Sequence, residues 1–121
     1  MKFLPLIIFA IFIMGCSASA PFSENDIEAK AELDTYLSGT TAVVDVLKLI
    51  ERKGFDCSTD IKPWVIDHIP DTINKEPMPH LCLINRTTVP LVCSDHWSIF
   101  IGHSEGEVLS TTISHSGPSC L

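Results

Sequence analysis

Gly102-His103-Ser104-Glu105-Gly106 has the G-x-S-x-G spacing of a serine nucleophile elbow. That motif needs a strand entering and a helix leaving, so that the hydroxyl stands exposed on a sharp turn. Here the following segment, Val108 to His115, is rich in Thr, Ser and Ile and reads as a strand. The five residues therefore read as a hairpin turn built on two glycines. All five histidines, His68, His80, His96, His103 and His115, fall in the second half of the chain, near Asp67, Asp71 and Asp95. None has the i, i+4 spacing by which a helix aims two imidazoles at one metal, so they read as isolated surface residues. Within a strand His96 and His103 differ in parity and should point to opposite faces. No metal and no cofactor is expected.

The cysteines carry the second kind of chemistry. They number five, at Cys16, Cys57, Cys82, Cys93 and Cys120. Met1-Lys2 and the apolar run Phe3 to Met14 form an export signal too short to span a bilayer. The run ends in Ile13-Met14-Gly15-Cys16, which resembles a bacterial lipobox, so Cys16 is the expected site of acylation and the first residue after cleavage. Ser17 resembles the signal for sorting to the outer membrane. The rival cleavage site, Ala18-Ser19-Ala20, would put Pro21 after the scissile bond, where proline obstructs the peptidase. Either reading removes Cys16 from the count and leaves an even set in an oxidising compartment, where two disulfides are expected. Zinc is disfavoured because the four are widely spread with no Cys-x-x-Cys pair. The expected pairs are Cys82 with Cys93, bracketing a hairpin turn at Arg86 to Pro90, and Cys57 with Cys120.

The elements that must position these residues fit in one small domain. The chain has 121 residues, with 8 Lys and Arg against 15 Asp and Glu. Without the leader and its Lys2, seven basic side chains face fifteen acidic ones, a net charge of −8. That balance excludes a nucleic-acid partner, and the length excludes the large nucleotide-binding and hydrolase folds. Residues 1–15 read as a lipoprotein signal peptide, 16–36 as lipidated N-terminus, tether and first helix, and 37–121 as a small α+β domain. The first helix starts at Ser23-Glu24-Asn25-Asp26 and carries Ile27, Ala31, Leu33 and Leu37 as its apolar stripe. Its acidic residues, Glu24, Asp26, Glu28, Glu32 and Asp34, read as a solvated face. A second helix is capped by Thr40 or Thr41, with Val43, Val44, Val46, Leu47 and Ile50 on one face. It stops at Gly54, and Phe55 folds back on it.

Ser58 to Pro79 reads as a long loop, since Pro63, Pro70, Pro77 and Pro79 forbid a long helix. Trp64-Val65-Ile66 within it is expected to pack on the core. Trp64, Asp67 and Asp71 are the candidate binding residues, because long loops in small domains often carry function. Leu81 to Ile84, Leu91 to His103 and Val108 to His115 follow as strands. In the second, Cys93, Trp97, Ile99 and Ile101 alternate with Ser94, His96 and Ser98, the pattern of a half-buried strand. Asn85-Arg86-Thr87 is a glycosylation sequon, relevant only in a eukaryotic secretory pathway, and the lipobox points elsewhere. The expected fold is α+β, with two N-terminal helices packed on a three-stranded antiparallel β-meander braced by two disulfides.

Leu37-Ser38-Gly39-Thr40-Thr41, leading to Val46 and Leu47, resembles the Gly-Thr/Ser helix start of the small bacterial outer-membrane lipoproteins of the BamE/SmpA-like kind. With the order lipobox, tether, two helices and sheet, the resemblance extends over residues 37–121. Gly54-Phe55-Asp56-Cys57 and Cys93-x-x-x-Trp97 are not general features of that family, which implies a disulfide-bearing relative. The β-lactamase-inhibitor proteins share this architecture in tandem. The resemblance implies a non-enzymatic, periplasm-facing lipoprotein of the outer membrane, held by its lipid anchor and acting as a structural module or as a binder of an envelope protein. The alternatives are a periplasmic inhibitor or immunity protein against a lysozyme, toxin or β-lactamase, and a small serine hydrolase using Ser104.

Overall fold

The structure, a computed structural model, describes residues 20–88 and 93–120. Its elements are α1 (Asp26–Tyr36), α2 (Val43–Arg52), β1 (Asp56–Ser58), the single turn α3 (Pro63–Ile66), β2 (His80–Thr88), β3 (Cys93–Ser104) and β4 (Glu107–Cys120). The four strands form one antiparallel sheet in the order β1-β2-β3-β4. The α+β class, the disulfides and the meander are as the sequence implies, with one strand and one helical turn more than expected. Both additions are too short to show a period. β1 has three residues, and α3 is a turn started by Pro63, whose missing N–H is no loss at a first helical position.

One face of the sheet carries the core. Trp97, Ile99 and Ile101 of β3 and Cys82 of β2 are wholly buried against Leu33, Val46 and Ile50 of the helices. The stripe of α1 is Ala29, Leu33 and Leu37, at four-residue spacing, whereas Ile27 and Ala31 are exposed. Its cap is Asn25, which accepts hydrogen bonds from Ile27 N and Glu28 N. Ser23 instead donates to Glu28 Oε2 and accepts from Asn25 N. On α2, Val43, Val46 and Ile50 are buried and Val44 is exposed. Neither Thr40 nor Thr41 caps this helix. Ala42 takes that position, and the helix start is docked on the β3–β4 turn by Val43 N to Gly106 O and Val108 N to Thr41 O. The helix stop is as expected, with Gly54 at φ 99° and Phe55 buried. Phe22 joins the same core against Tyr36 and Phe55, so the ordered domain begins ahead of α1.

All four cysteines among the described residues are oxidised, but the pairs are Cys57–Cys82 and Cys93–Cys120. The expected pairs are excluded by register. Cys82 lies opposite Ile99, and Cys93 is six residues further along β3, about 20 Å away at strand rise. The hairpin is longer than the turn residues suggested. Arg86, Thr87 and Thr88 continue β2, and the turn itself lies outside the described residues. β4 likewise runs on to Cys120, directly opposite Cys93. Each bridge therefore joins cross-strand neighbours. In β4, Gly117 and Pro118 bulge opposite Asp95, and a Cβ at Gly117 would sit 2.9 Å from Asp95 Cα, so only glycine fits that φ of 107° and that approach.

Residues 59–79 cross the other face of the sheet. Ile69 and Ile73 are buried there, apart from the main core. Ile73 and Asn74 close over Gly102, where a Cβ would collide with Asn74 Oδ1, and Asn74 Nδ2 donates to His103 O at 2.9 Å. The loop is thus tied down at its far end, and its near end carries α3.

Candidate functional site

Alternation along the strands sends Leu81, Leu83 and Asn85 of β2 and His96, Ser98 and Phe100 of β3 to the face away from the helices. α3 stands over this face and makes one wall of a groove of about 450 Å³, whose floor includes His96, Ser98 and Phe100. A second hollow of about 230 Å³ continues it past Asp56 and Asp60. Trp64, Val65, Leu81 and Leu83 are common to both. Trp64 is 69% exposed and Leu83 42%, so the ridge between the hollows is apolar and open to water. Isolated exposed apolar residues are ordinary, but a large aromatic beside a leucine in a concave sheet face is the composition of a binding surface.

This corrects the expectation that Trp64 packs on the core. Pro63 starts a turn whose first side chain points outward, and Val65 and Ile66 are the half-buried pair. Asp67 and Asp71 are exposed on the same loop but do not line the groove. Trp64 is therefore brought together with His96 and Ser98 rather than with the two aspartates. Leu83 and Phe100 complete the surface. Their signal in the sequence is parity alone, since each is an apolar residue on the solvent-facing half of an alternating strand.

Three of the five histidines are not isolated. His103 Nε2 lies 3.1 Å from Met78 O, and its ring is 4.8 Å from that of His80. Burial, and then the neighbouring His103, push the His80 pKa down. His115 belongs to a polar cluster on the core face. Its Nε2 is 2.8 Å from Asp95 Oδ2, and Arg86 grips both Asp95 oxygens, Nε to Oδ1 at 3.0 Å and Nη2 to Oδ2 at 2.6 Å. Arg86 Nη2 also reaches Glu24 Oε1 at 2.6 Å, and the guanidinium lies over the Trp97 ring at 5.0 Å. Trp97 Nε1 donates to Ser23 O, and Asp26 Oδ1 accepts from His115 N. Two of the five acids expected on a solvated face, Glu24 and Asp26, thus fasten the N-terminal segment to the sheet, while Glu28, Glu32 and Asp34 are exposed. Glu24, Asp95 and His115 offer ligand atoms within 4.8 Å of one another. Arg86 already bonds both carboxylates, so the group is an ion-paired clamp.

The Arg86 hydrogen bond, followed by that of His115, holds the Asp95 carboxyl below the usual carboxylate range against the opposing effect of burial. A depressed acid stabilises the fold above its unfolded pKa, near 4, and that contribution disappears as pH falls through the folded value. His80, with its pKa lowered, favours the unfolded chain once pH drops below about 6.5. Thermal melts from pH 7 to 3 should show a shallow loss beginning near pH 6.5 that His80→Gln removes, and a steeper one below pH 4. A flat profile would contradict both assignments.

Ser104 stands at the end of β3, before a two-residue turn with Glu105 at φ 54° and Gly106 at φ 81°, the type I′ form of a tight hairpin. The turn reading of the G-x-S-x-G match holds. Among the described residues the Ser104 hydroxyl has no hydrogen bond to a histidine, whereas His96 and His103 do face opposite sides. Cys16 lies outside the described residues. No protein-family model, curated protein or solved structure matches the chain.

Proposed function

We propose that this protein is a non-enzymatic lipoprotein of the cell envelope, of BamE/SmpA-like organisation, that binds a basic partner protein in the groove between α3 and the outer face of the sheet. The observation that carries the reading is Trp64, an exposed aromatic held on a loop that is itself fastened to a disulfide-braced sheet. Rigid aromatic anchors give the largest contact area for the least ordering entropy. Charge supports the choice of partner. Asp56 and Asp60 line the hollow beside the ridge against Lys62, in a chain with 15 acidic and 8 basic side chains.

Trp64→Ala is expected to change stability by no more than about 0.5 kcal/mol, the usual range for an exposed side chain. The same change should abolish retention of the partner from an envelope extract, and Asp56→Lys with Asp60→Lys should weaken it. The purified partner should quench Trp64 fluorescence, a clean readout because the other tryptophan, Trp97, is buried. Undiminished retention by Trp64→Ala would refute the groove. Anchoring is tested separately. Labelled palmitate should enter the wild type and be absent from Cys16→Ser, and equal labelling of both would remove the lipoprotein part of the reading.

A further inference from the structure

We infer that the partner docks as an extended segment, adding a strand to the open edge of β2 at Asn85–Thr87 and presenting basic side chains to the acidic rim. The inference rests on the groove reading above. β1 covers only Leu81 to Leu83 of β2. From Ile84 to Thr88 no described strand lies on that side, although β3 pairs with the whole length on the other.

Two independent observations fix which backbone groups face the gap. Cys57 and Cys82 have Cα atoms 4.0 Å apart, the narrow spacing of a pair that exchanges no backbone hydrogen bonds. The groups turned towards β1 therefore belong to Leu81 and Leu83 and, continuing the alternation, to Asn85 and Thr87. From the far side, His115 N donates outward to Asp26 Oδ1, so Trp97, opposite it, turns its N–H and C=O towards β2 and Ile84. Asn85 and Thr87 again face outward. Their N–H and C=O groups are a ready template for a fourth neighbour.

The two edges of the sheet are treated differently. On β4, Asp26 caps the His115 N–H and Lys30 Nζ bonds Thr111 Oγ1, so α1 blunts that edge with charge. On β2, the outward side chains Asn85 and Thr87 are uncharged, and the one charge in the stretch, Arg86, is turned inward to Asp95. Asn85 joins edge to groove, because its backbone opens on the gap while its side chain lines the hollow with Leu83 and Trp64. A strand added there would lay alternate side chains beside the groove, with its end next to Asp56, the β1 residue opposite Leu83.

A random decapeptide display library panned on the oxidised chain tests this. Enriched sequences should alternate Lys or Arg with β-branched residues. In a synthetic winner, N-methylation of alternate amides should weaken binding about tenfold, the loss expected when one hydrogen bond of the added ladder is removed. Methylation of the intervening amides should have little effect, and Asp56→Lys should weaken binding. Acidic or helically spaced winners, uniform tolerance of N-methylation, or no enrichment would each overturn the inference. So would a concentration-dependent dimer in sedimentation that competes with the peptides, which would assign the edge to a second copy of this chain. If Trp64→Ala abolishes partner retention while the peptides ignore N-methylation, the groove reading survives and only strand addition fails.

Discussion

Dithiothreitol is expected to unfold this domain. The bridges close loops with sequence separations of 25 and 27, and each such closure stabilises by about 3.5 kcal/mol in the chain-entropy model. Their sum is comparable to the whole of a small domain's stability, about 5–15 kcal/mol. Cys120 is exposed whereas Cys82 is wholly buried, so Cys93–Cys120 should be reduced first. Circular dichroism should show loss of the sheet on full reduction, and timed alkylation should label Cys93 and Cys120 before Cys57 and Cys82. Retention of a cooperative melt in the fully reduced protein would mean that the core suffices alone.

The second large effect is expected from Arg86→Met. It leaves the Asp95 carboxylate, 2% exposed, with only His115 beside it. Removing one partner of a buried pair costs about 3–5 kcal/mol because the remaining charge is stranded, whereas replacing both can be nearly neutral. Arg86→Met combined with Asp95→Leu should therefore recover most of what the single change loses, read as the midpoint of urea unfolding. Glu24→Gln should cost little, since that carboxylate is largely exposed and screened. A double variant no better than the single one would show that the pair does more than neutralise itself.

The central strand and the second helix were legible in the chain because their signals are local. Alternation from Cys93 to Ile101 gave β3 its buried face, and Arg52-Lys53-Gly54-Phe55 marked the end of α2. The Arg86–Asp95 contact was not legible, because it depends on the register of a hairpin whose turn was placed too early. The run Thr87-Thr88-Val89, β-branched throughout, was the available sign that β2 continues beyond Ile84. The disulfide pairing failed for the same reason, since a shift along a strand carries every cross-strand neighbour with it. Trp64 was misjudged because apolar character states a preference for burial, while Pro63 decided which way the turn would point. The exposed apolar ridge depends on the path of the loop, which no local signal in the chain reveals.

The packing of Phe22 on the core sets how far the anchor proposed at Cys16 could hold the domain from a membrane. Were Cys16 acylated, the five residues between it and Phe22 would span at most about 20 Å. Phe22 packs with the helical layer, while the Trp64 groove opens on the opposite side of the sheet. So tethered, the domain would stay close to the lipid, and a partner could engage the groove only within a short distance of the bilayer.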